Sequence, residues 1–219
     1  MSDPQHPPMR SFGRIRGRTI KPRQAALMDT LLPTIAIDLA AVETPPRTWL
    51  EIGFGGGEHM AAQAARNPEV RILGAEPFLN GAASALRHID ERGLANVRLH
   101  VGDARDLLAA LPDASIERVF VLFPDPWPKA RHQKRRLVQP ETAAQFARVL
   151  KPGGALRFAT DVESYADWAL AVLNAEPQLR WTAERADDCR AAPADHVTTR
   201  YEEKRLGDID PVFFDFERV

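Results

Sequence analysis

Cysteine is almost missing from this chain of 219 residues, which contains one, Cys189. No internal disulfide is available, which fits a reducing compartment, and nothing beside Cys189 marks it as a nucleophile. No apolar run approaches the roughly 20 residues of a membrane-spanning helix, and the first residues carry no signal-peptide core. The expectation is a soluble, cytoplasmic protein that makes no use of a membrane. The six histidines show no ligand spacing among themselves or with Cys189, so no metal is expected. Net charge is also nearly absent: 29 Lys and Arg against 30 Asp and Glu leave −1. No global field draws in an anionic partner, and any electrostatic preference must come from local patches.

Two segments hold such patches. Residues 10–23 carry Arg10, Arg14, Arg16, Arg18, Lys21 and Arg23 without an acid, behind a proline-rich, polar start. With Gly13 and Gly17 against a helix, this reads as a flexible basic arm over residues 1–21 that either contacts phosphates or is simply solvated. The second patch follows a buried strand. Val119–Phe123 is a continuous apolar run, as in a strand covered on both faces. Pro124 and Pro126 end it and flank one carboxylate, Asp125; Trp127 comes next. From Lys129 to Arg136 there are five Lys/Arg residues and His132, with no acid before Glu141.

The rest of the chain alternates strand and helix. Strands are expected at 47–52, 70–75, 97–101, 119–123 and 155–159, with closing strands near 179–184 and 212–218. Helices are expected after Pro22 (divided by Pro33) and over 58–66, 78–91 and 141–150, with a further apolar stripe on Tyr165, Trp168, Ala169, Val172 and Leu173. This pattern predicts one α/β domain over residues 22–219: a doubly wound, mainly parallel Rossmann-like sheet with helices on both faces and a closing antiparallel strand. Ligands bind such sheets at the carboxyl ends of the strands. Glu51, Glu76, Asp103, Asp125 and Asp161 all fall there, together with the glycines at 53, 55, 56 and 57.

A strand, a glycine turn and a helix make a nucleotide-binding corner, and Glu76, about twenty residues on, stands where an acid commonly holds ribose hydroxyls. The dinucleotide fingerprint wants a third glycine where this chain has Glu58. Glu51, an acid before the first glycine, would repel a pyrophosphate but attract an ammonium and a sulfonium, so S-adenosylmethionine fits better than NAD. Asp103 suits the adenine amino group, a helix cap, or both at once.

These residues bring the chain close to a known family. LEIGFGGG, GAEP, GDARDLL, PDPWPKARHQKRR, LKPGG, FATD and the late TRYE, spread over about 10–218, resemble the bacterial tRNA (guanine-N7)-methyltransferases. The resemblance implies a class I, S-adenosylmethionine-dependent enzyme that methylates N7 of a variable-loop guanine in tRNA. It implies cofactor contacts from Glu51, Gly53, Gly55, Glu76 and Asp103, and from a catalytic Asp125. It implies substrate contacts from Lys129, Asp161, Thr199, Arg200, Tyr201 and Glu202. Arg131, His132, Gln133, Lys134, Arg135 and Arg136 match the tract that contacts RNA. The chain departs from the pattern at Ala130, where a lysine is more usual, and in the short stretch Glu203–Gly207.

Guanine N7 has an in-plane lone pair and needs no deprotonation, so the task is orientation and charge stabilisation. N7 lines the deep, narrow major groove of A-form RNA, which side chains do not enter, so the base must sit in a loop or leave its stack. Trp127 suits either a base-stacking platform or a wedge behind the loop. Two rival functions share these features: methylation of an exocyclic amine, and a non-catalytic RNA-binding module with a relict cofactor pocket.

Overall fold

The computed structural model describes residues 15, 17 and 19–219. Most of the expected arm therefore lies outside the described residues.

Pro22 opens α1 (Pro22–Thr30), its missing N–H costing nothing at a helix start. The chain restarts as α2 (Leu32–Ile35) with Pro33 in its first turn. Then follow β1 (Thr48–Ile52), α3 (Glu58–Arg66), β2 (Arg71–Ala75), α4 (Leu79–Arg92), β3 (Val97–His100) and α5 (Ala104–Ala110). After β4 (Ile116–Leu122), a 3-10 turn spans Ala130–Arg135. The last elements are α6 (Pro140–Val149), β5 (Leu150–Thr160), α7 (Glu163–Asn174), β6 (Leu179–Trp181), α8 (Arg200–Glu203) and β7 (Val212–Arg218).

Among the described residues, seven strands form one sheet in the order β3-β2-β1-β4-β5-β7-β6. β1 to β5 are parallel, and β7 enters antiparallel between β5 and β6. The alternation of strand side chains explains why these strands are apolar throughout. Leu50, Ile52, Val119 and Val121 face α5, α6 and α7, while Trp49, Phe120 and Leu122 face α3 and α4. Both faces are covered, so a polar residue at either parity is the exception that needs a reason.

Three strand boundaries differ clearly from expectation; β4 begins at Ile116, three residues early. β5 begins at Leu150, before the Lys151–Gly154 turn: Ile116 pairs with Leu150 and Arg118 with Ala155, so residues 151–154 loop out of the ladder. β6 stops at Trp181, three residues short of the expected end.

The chain order reverses direction at β1 and β4, which lie side by side. Their carboxyl ends open the crevice where such sheets bind ligands. One leads into the glycine turn and the other into Phe123–Trp127.

Candidate active site

The backbone beyond β1 is shaped by glycine. Gly53 has φ +70° and Gly57 has φ +81°, a left-handed conformation at the N-terminus of α3. A Cβ on Gly57 would lie 2.6 Å from that of Ala85, so this turn and α4 touch with no room for a side chain. Beyond β4 the chain bends without glycine. Phe123 and Trp127 hold φ +50° and +43°, unfavourable for bulky residues and maintained only where the surroundings dictate it. Between them, Pro124, Asp125 and Pro126 are turned toward the glycine loop.

A cleft of about 670 Å³ lies between these two loops, within the range of small-molecule sites. Glu51, Gly53, Gly55, Glu76, Asp103 and Asp125, all the residues expected around a cofactor, line it. So do Thr199, Arg200 and Tyr201, whereas Lys129, Asp161 and Glu202 stand outside its wall. A smaller recess of about 290 Å³ elsewhere is lined by Arg118, Arg157 and Asp215, but its arginines are already paired with Asp195 and Asp215.

Glu76 is 8% exposed. Its two oxygens accept hydrogen bonds from the Gly55 and Phe78 N–H groups, each at 2.8 Å. Burial pushes its pKa up, the two backbone donors oppose the shift, and the Asp125 charge adds to it. Glu76 thus senses the Asp125 charge across the cleft. Asp125 reaches solvent at the cleft mouth, yet the surrounding walls strip enough water to raise its pKa as well. Asp103 caps α5 by accepting from the Arg105 N–H at 3.0 Å, and the Arg105 guanidinium lies 3.2 Å from its other oxygen.

The opposite wall comes from the late segment. Thr199 caps α8 and exchanges hydrogen bonds with Glu202, whose Oε1 lies 2.7 Å from His196 Nε2. Burial would raise the Glu202 pKa, but His196 and Thr199 outweigh it and hold the carboxyl below its usual range. Glu202 is therefore occupied in shaping the segment. Tyr201 donates to the buried Asp161 at 3.3 Å, and burial, then the Asp161 carboxylate, push the Tyr201 pKa up to about 12. Gly207 lies flat on Asp161, where a Cβ would collide with the Asp161 backbone and side chain. The Tyr201 hydroxyl joins Asp161 to the TRYE segment forty residues later, and Gly207 adds a contact just beyond it.

The basic tract divides in two. Lys129, Arg131 and Lys134 are exposed, and His132 and Gln133 are partly so. A little lost hydration and then the charges of Arg135, Arg131, Lys129 and Lys134 lower the His132 pKa, so this imidazole adds no cation at neutral pH. Arg135 lies over the Trp127 ring at 5.0 Å, and His132 meets the same ring edge-on at 5.9 Å. Trp127 is thus held by the tract and also lines the cleft, an arrangement that serves either expected role.

Arg136 departs from the rest of the tract: it is fully buried. Its Nε donates to the Pro126 carbonyl at 2.8 Å and its Nη1 to the Ser164 carbonyl at 2.9 Å. Its guanidinium covers Tyr165 at 4.9 Å. Arg136 is the post to which the Asp125 loop is tied. Arg136→Ala leaves two carbonyls without a donor, at a cost of about 3 kcal/mol. For a chain of this size the thermal midpoint should drop by about 6–12 °C. Arg131→Ala should leave the midpoint nearly unchanged, and calorimetric melts of the two variants check the difference.

Sequence reasoning missed a polar pair inside α3. His59 and Gln63 are 1% and 2% exposed, and His59 Nδ1 lies 2.7 Å from Glu51 Oε2. Their spacing of four on an alanine-rich helix was the available signal, since it puts both on one face.

Comparison with known proteins shows the family and the fold. A family model described as a putative methyltransferase matches residues 46–213. A tRNA (guanine-N(7)-)-methyltransferase of Caulobacter vibrioides is 60% identical, with all of both chains covered. Proteins of the same description from Hyphomonas neptunium and Rhodospirillum rubrum are 55% and 47% identical. They cover 95% and 90% of this chain, and 99% and 82% of their own. Among solved structures, the 16S rRNA methyltransferase KamB superposes with a TM-score of 0.56 at 16% identity, covering 92% of this chain and 95% of its own. A 16S rRNA (adenine(1408)-N(1))-methyltransferase from Catenulisporales acidiphilia gives 0.53 at 18% identity, covering 80% and 89%. These two share the fold.

Proposed function

The chain belongs to the tRNA (guanine-N7)-methyltransferase family, and from that premise we propose that its cleft binds S-adenosylmethionine and methylates N7 of a variable-loop guanine in tRNA, in the cytoplasm. The observation that carries this reading is the meeting, in one cleft, of the acid-lined glycine loop, Asp125 and the Thr199–Tyr201 wall. Among the described residues no helix is long and apolar enough to cross a membrane.

The residues fit the group. The cleft volume suits a nucleoside with an amino-acid tail. Gly81 lets α4 press on the glycine loop, since a Cβ there would lie 2.5 Å from the Gly55 carbonyl. The Glu76 carboxylate, fixed by two backbone donors, keeps lone pairs for ribose hydroxyls, and Asp103 keeps one oxygen face for an adenine amino group. Glu51 supplies negative charge for an ammonium. When bound, S-adenosylmethionine supplies a methyl carbon to the N7 lone pair, the carbon–sulfur pair leaves with sulfur, and the positive charge passes to the purine.

No proton is lost, so Asp125 has no base work to do. A carboxylate held at the cleft mouth stabilises charge developing on the purine, or holds the guanine N1–H edge. Tyr201, kept protonated well above neutral pH, remains a donor to Asp161 and keeps the α8 wall in place. Lys129, Arg131 and Lys134 face solvent beside the cleft and suit phosphates.

Incubating the pure protein with labelled cofactor and tRNA, then mapping the modified nucleotide, tests the reading. A product at guanine N7 supports it. A product on an exocyclic amine, or no methyl transfer despite RNA binding, would replace it with one of the rivals. The tract has its own test. Each phosphate neutralised contributes roughly −0.7 to −0.9 to the slope of log affinity against log salt. Replacing Arg131 and Lys134 by alanine should make that slope shallower by about 1.5, equally for different tRNAs and without change in cofactor affinity. An unchanged slope means that these side chains are merely solvated.

A further inference from the structure

The buried pair in α3 has no place in the reading so far. Gln63 Nε2 lies 2.7 Å from the Asp195 carbonyl and 3.1 Å from His59 Nε2. A backbone carbonyl only accepts, so the Gln63 amide must turn its NH2 toward it, and the same NH2 then faces His59. His59 Nε2 must therefore accept. The imidazole is left with one proton, on Nδ1, which it donates to Glu51 at 2.7 Å.

The hydrogen-bond chain thus has one direction, from Gln63 to His59 to Glu51, and it is anchored outside the site. The Asp195 carbonyl also accepts from Arg66 at 3.1 Å, and the Asp195 side chain pairs with Arg157 and Arg118. The ring of His59 is packed edge-on against Phe120 at 5.0 Å, which leaves it no freedom to turn. Glu51 is 3% exposed and lines the cleft. With Gln63 placing a donor against Nε2, the Nδ1–H is the His59 proton aimed at Glu51.

We propose that His59 is a positioning residue for methyl transfer: held in its Nδ1–H form by Gln63 and the Asp195 carbonyl, it fixes the Glu51 carboxylate, with its charge intact, for the ammonium of the cofactor's amino-acid tail. This inference rests on the reading of the cleft as an S-adenosylmethionine site. Its mark is selectivity for one part of the ligand. A residue needed only for folding would affect the nucleoside end as much as the tail.

The test compares two ligands by calorimetry: S-adenosylmethionine, and 5′-methylthioadenosine, which lacks the amino-acid tail. His59→Leu should weaken S-adenosylmethionine by about 10- to 100-fold, the range of a hydrogen bond to a charged group, and leave 5′-methylthioadenosine unchanged. His59→Gln, whose amide offers one donor and one acceptor, should recover most of the lost affinity. Nitrogen-15 spectra of the imidazole in the folded wild type should show a protonated Nδ1 and a bare Nε2 at neutral pH. Equal losses for both ligands, no loss for either, or a doubly protonated ring would each overturn the proposal. Failure of the wild type to bind S-adenosylmethionine would instead remove the reading on which it rests.

Discussion

Asp125→Asn should lower the single-turnover rate of methyl transfer by roughly 10²- to 10³-fold, the usual cost of removing one preorganised electrostatic partner of a transition state. The amide is nearly isosteric, so the loop between Pro124 and Pro126, anchored by Arg136 on the Pro126 carbonyl, should keep its shape. Cofactor and tRNA affinities should change far less than the rate. The pH dependence gives a second reading of the same group. Burial raises the Asp125 pKa, so the wild-type rate should climb as pH rises through that raised value, and the variant should lack this limb. Stability runs the other way. A carboxyl with a raised folded-state pKa contributes its stabilisation below the ordinary carboxylate range and loses it as pH rises through the folded value. At neutral pH the wild type therefore carries a burial penalty that asparagine does not, and the variant should melt no lower than the wild type. The gain is small because Asp125 is open to solvent at the cleft mouth. Rapid-quench assays across pH, at saturating cofactor and tRNA, check the rate. A wild-type rate in the variant excludes the electrostatic role of Asp125, whatever the family.

How much of this was legible beforehand depended on whether a residue's partner lay near it in sequence. The apolar runs of β1, β2 and β4 announce buried strands because both faces are covered, and the acids at their ends stand out against that background. β4 was read as starting three residues late, because Glu117 and Arg118 precede its apolar run. In the fold, Arg118 spreads over the rings of Trp49 and Phe120 at 4.9 and 5.0 Å and pairs with Asp195. Arg136 was read as one more member of a cationic run. Nothing local reveals that it turns inward, because its acceptors are a carbonyl ten residues back and Ser164 twenty-eight residues on. The segment from Asp195 to Gly207 has neither helical nor strand periodicity. Its position is set by contacts with Gln63, Asp161 and Glu58, all distant in the chain.

Glu76→Ala should weaken S-adenosylmethionine by roughly 10²- to 10³-fold. Two hydrogen bonds from ribose hydroxyls to a carboxylate contribute about 1.5–3 kcal/mol each, and 1.4 kcal/mol is tenfold. Together they span about 10²- to 10⁴-fold, and hydration of the exposed floor recovers part of the loss. A second consequence separates ligand contact from scaffold. The same carboxylate satisfies the Gly55 and Phe78 N–H groups, so the alanine variant should also melt at a lower temperature without any ligand. Glu76→Gln divides the two effects. Its carbonyl oxygen can accept from one of the two N–H groups, but its NH2 confronts the other. It should therefore recover only part of the melting temperature and one of the ribose contacts. The Asp125 charge adds to the raised pKa of Glu76, so Asp125→Asn should let the Glu76 carboxyl ionise at lower pH. That displacement requires the two carboxylates to face one cleft. Calorimetry with S-adenosylmethionine gives the affinities, and carbon-13 spectra of the Glu76 carboxyl across pH give the shift. Undiminished affinity in Glu76→Ala means that the ribose is held elsewhere. An unmoved Glu76 titration in Asp125→Asn means that the two carboxylates do not share the cleft.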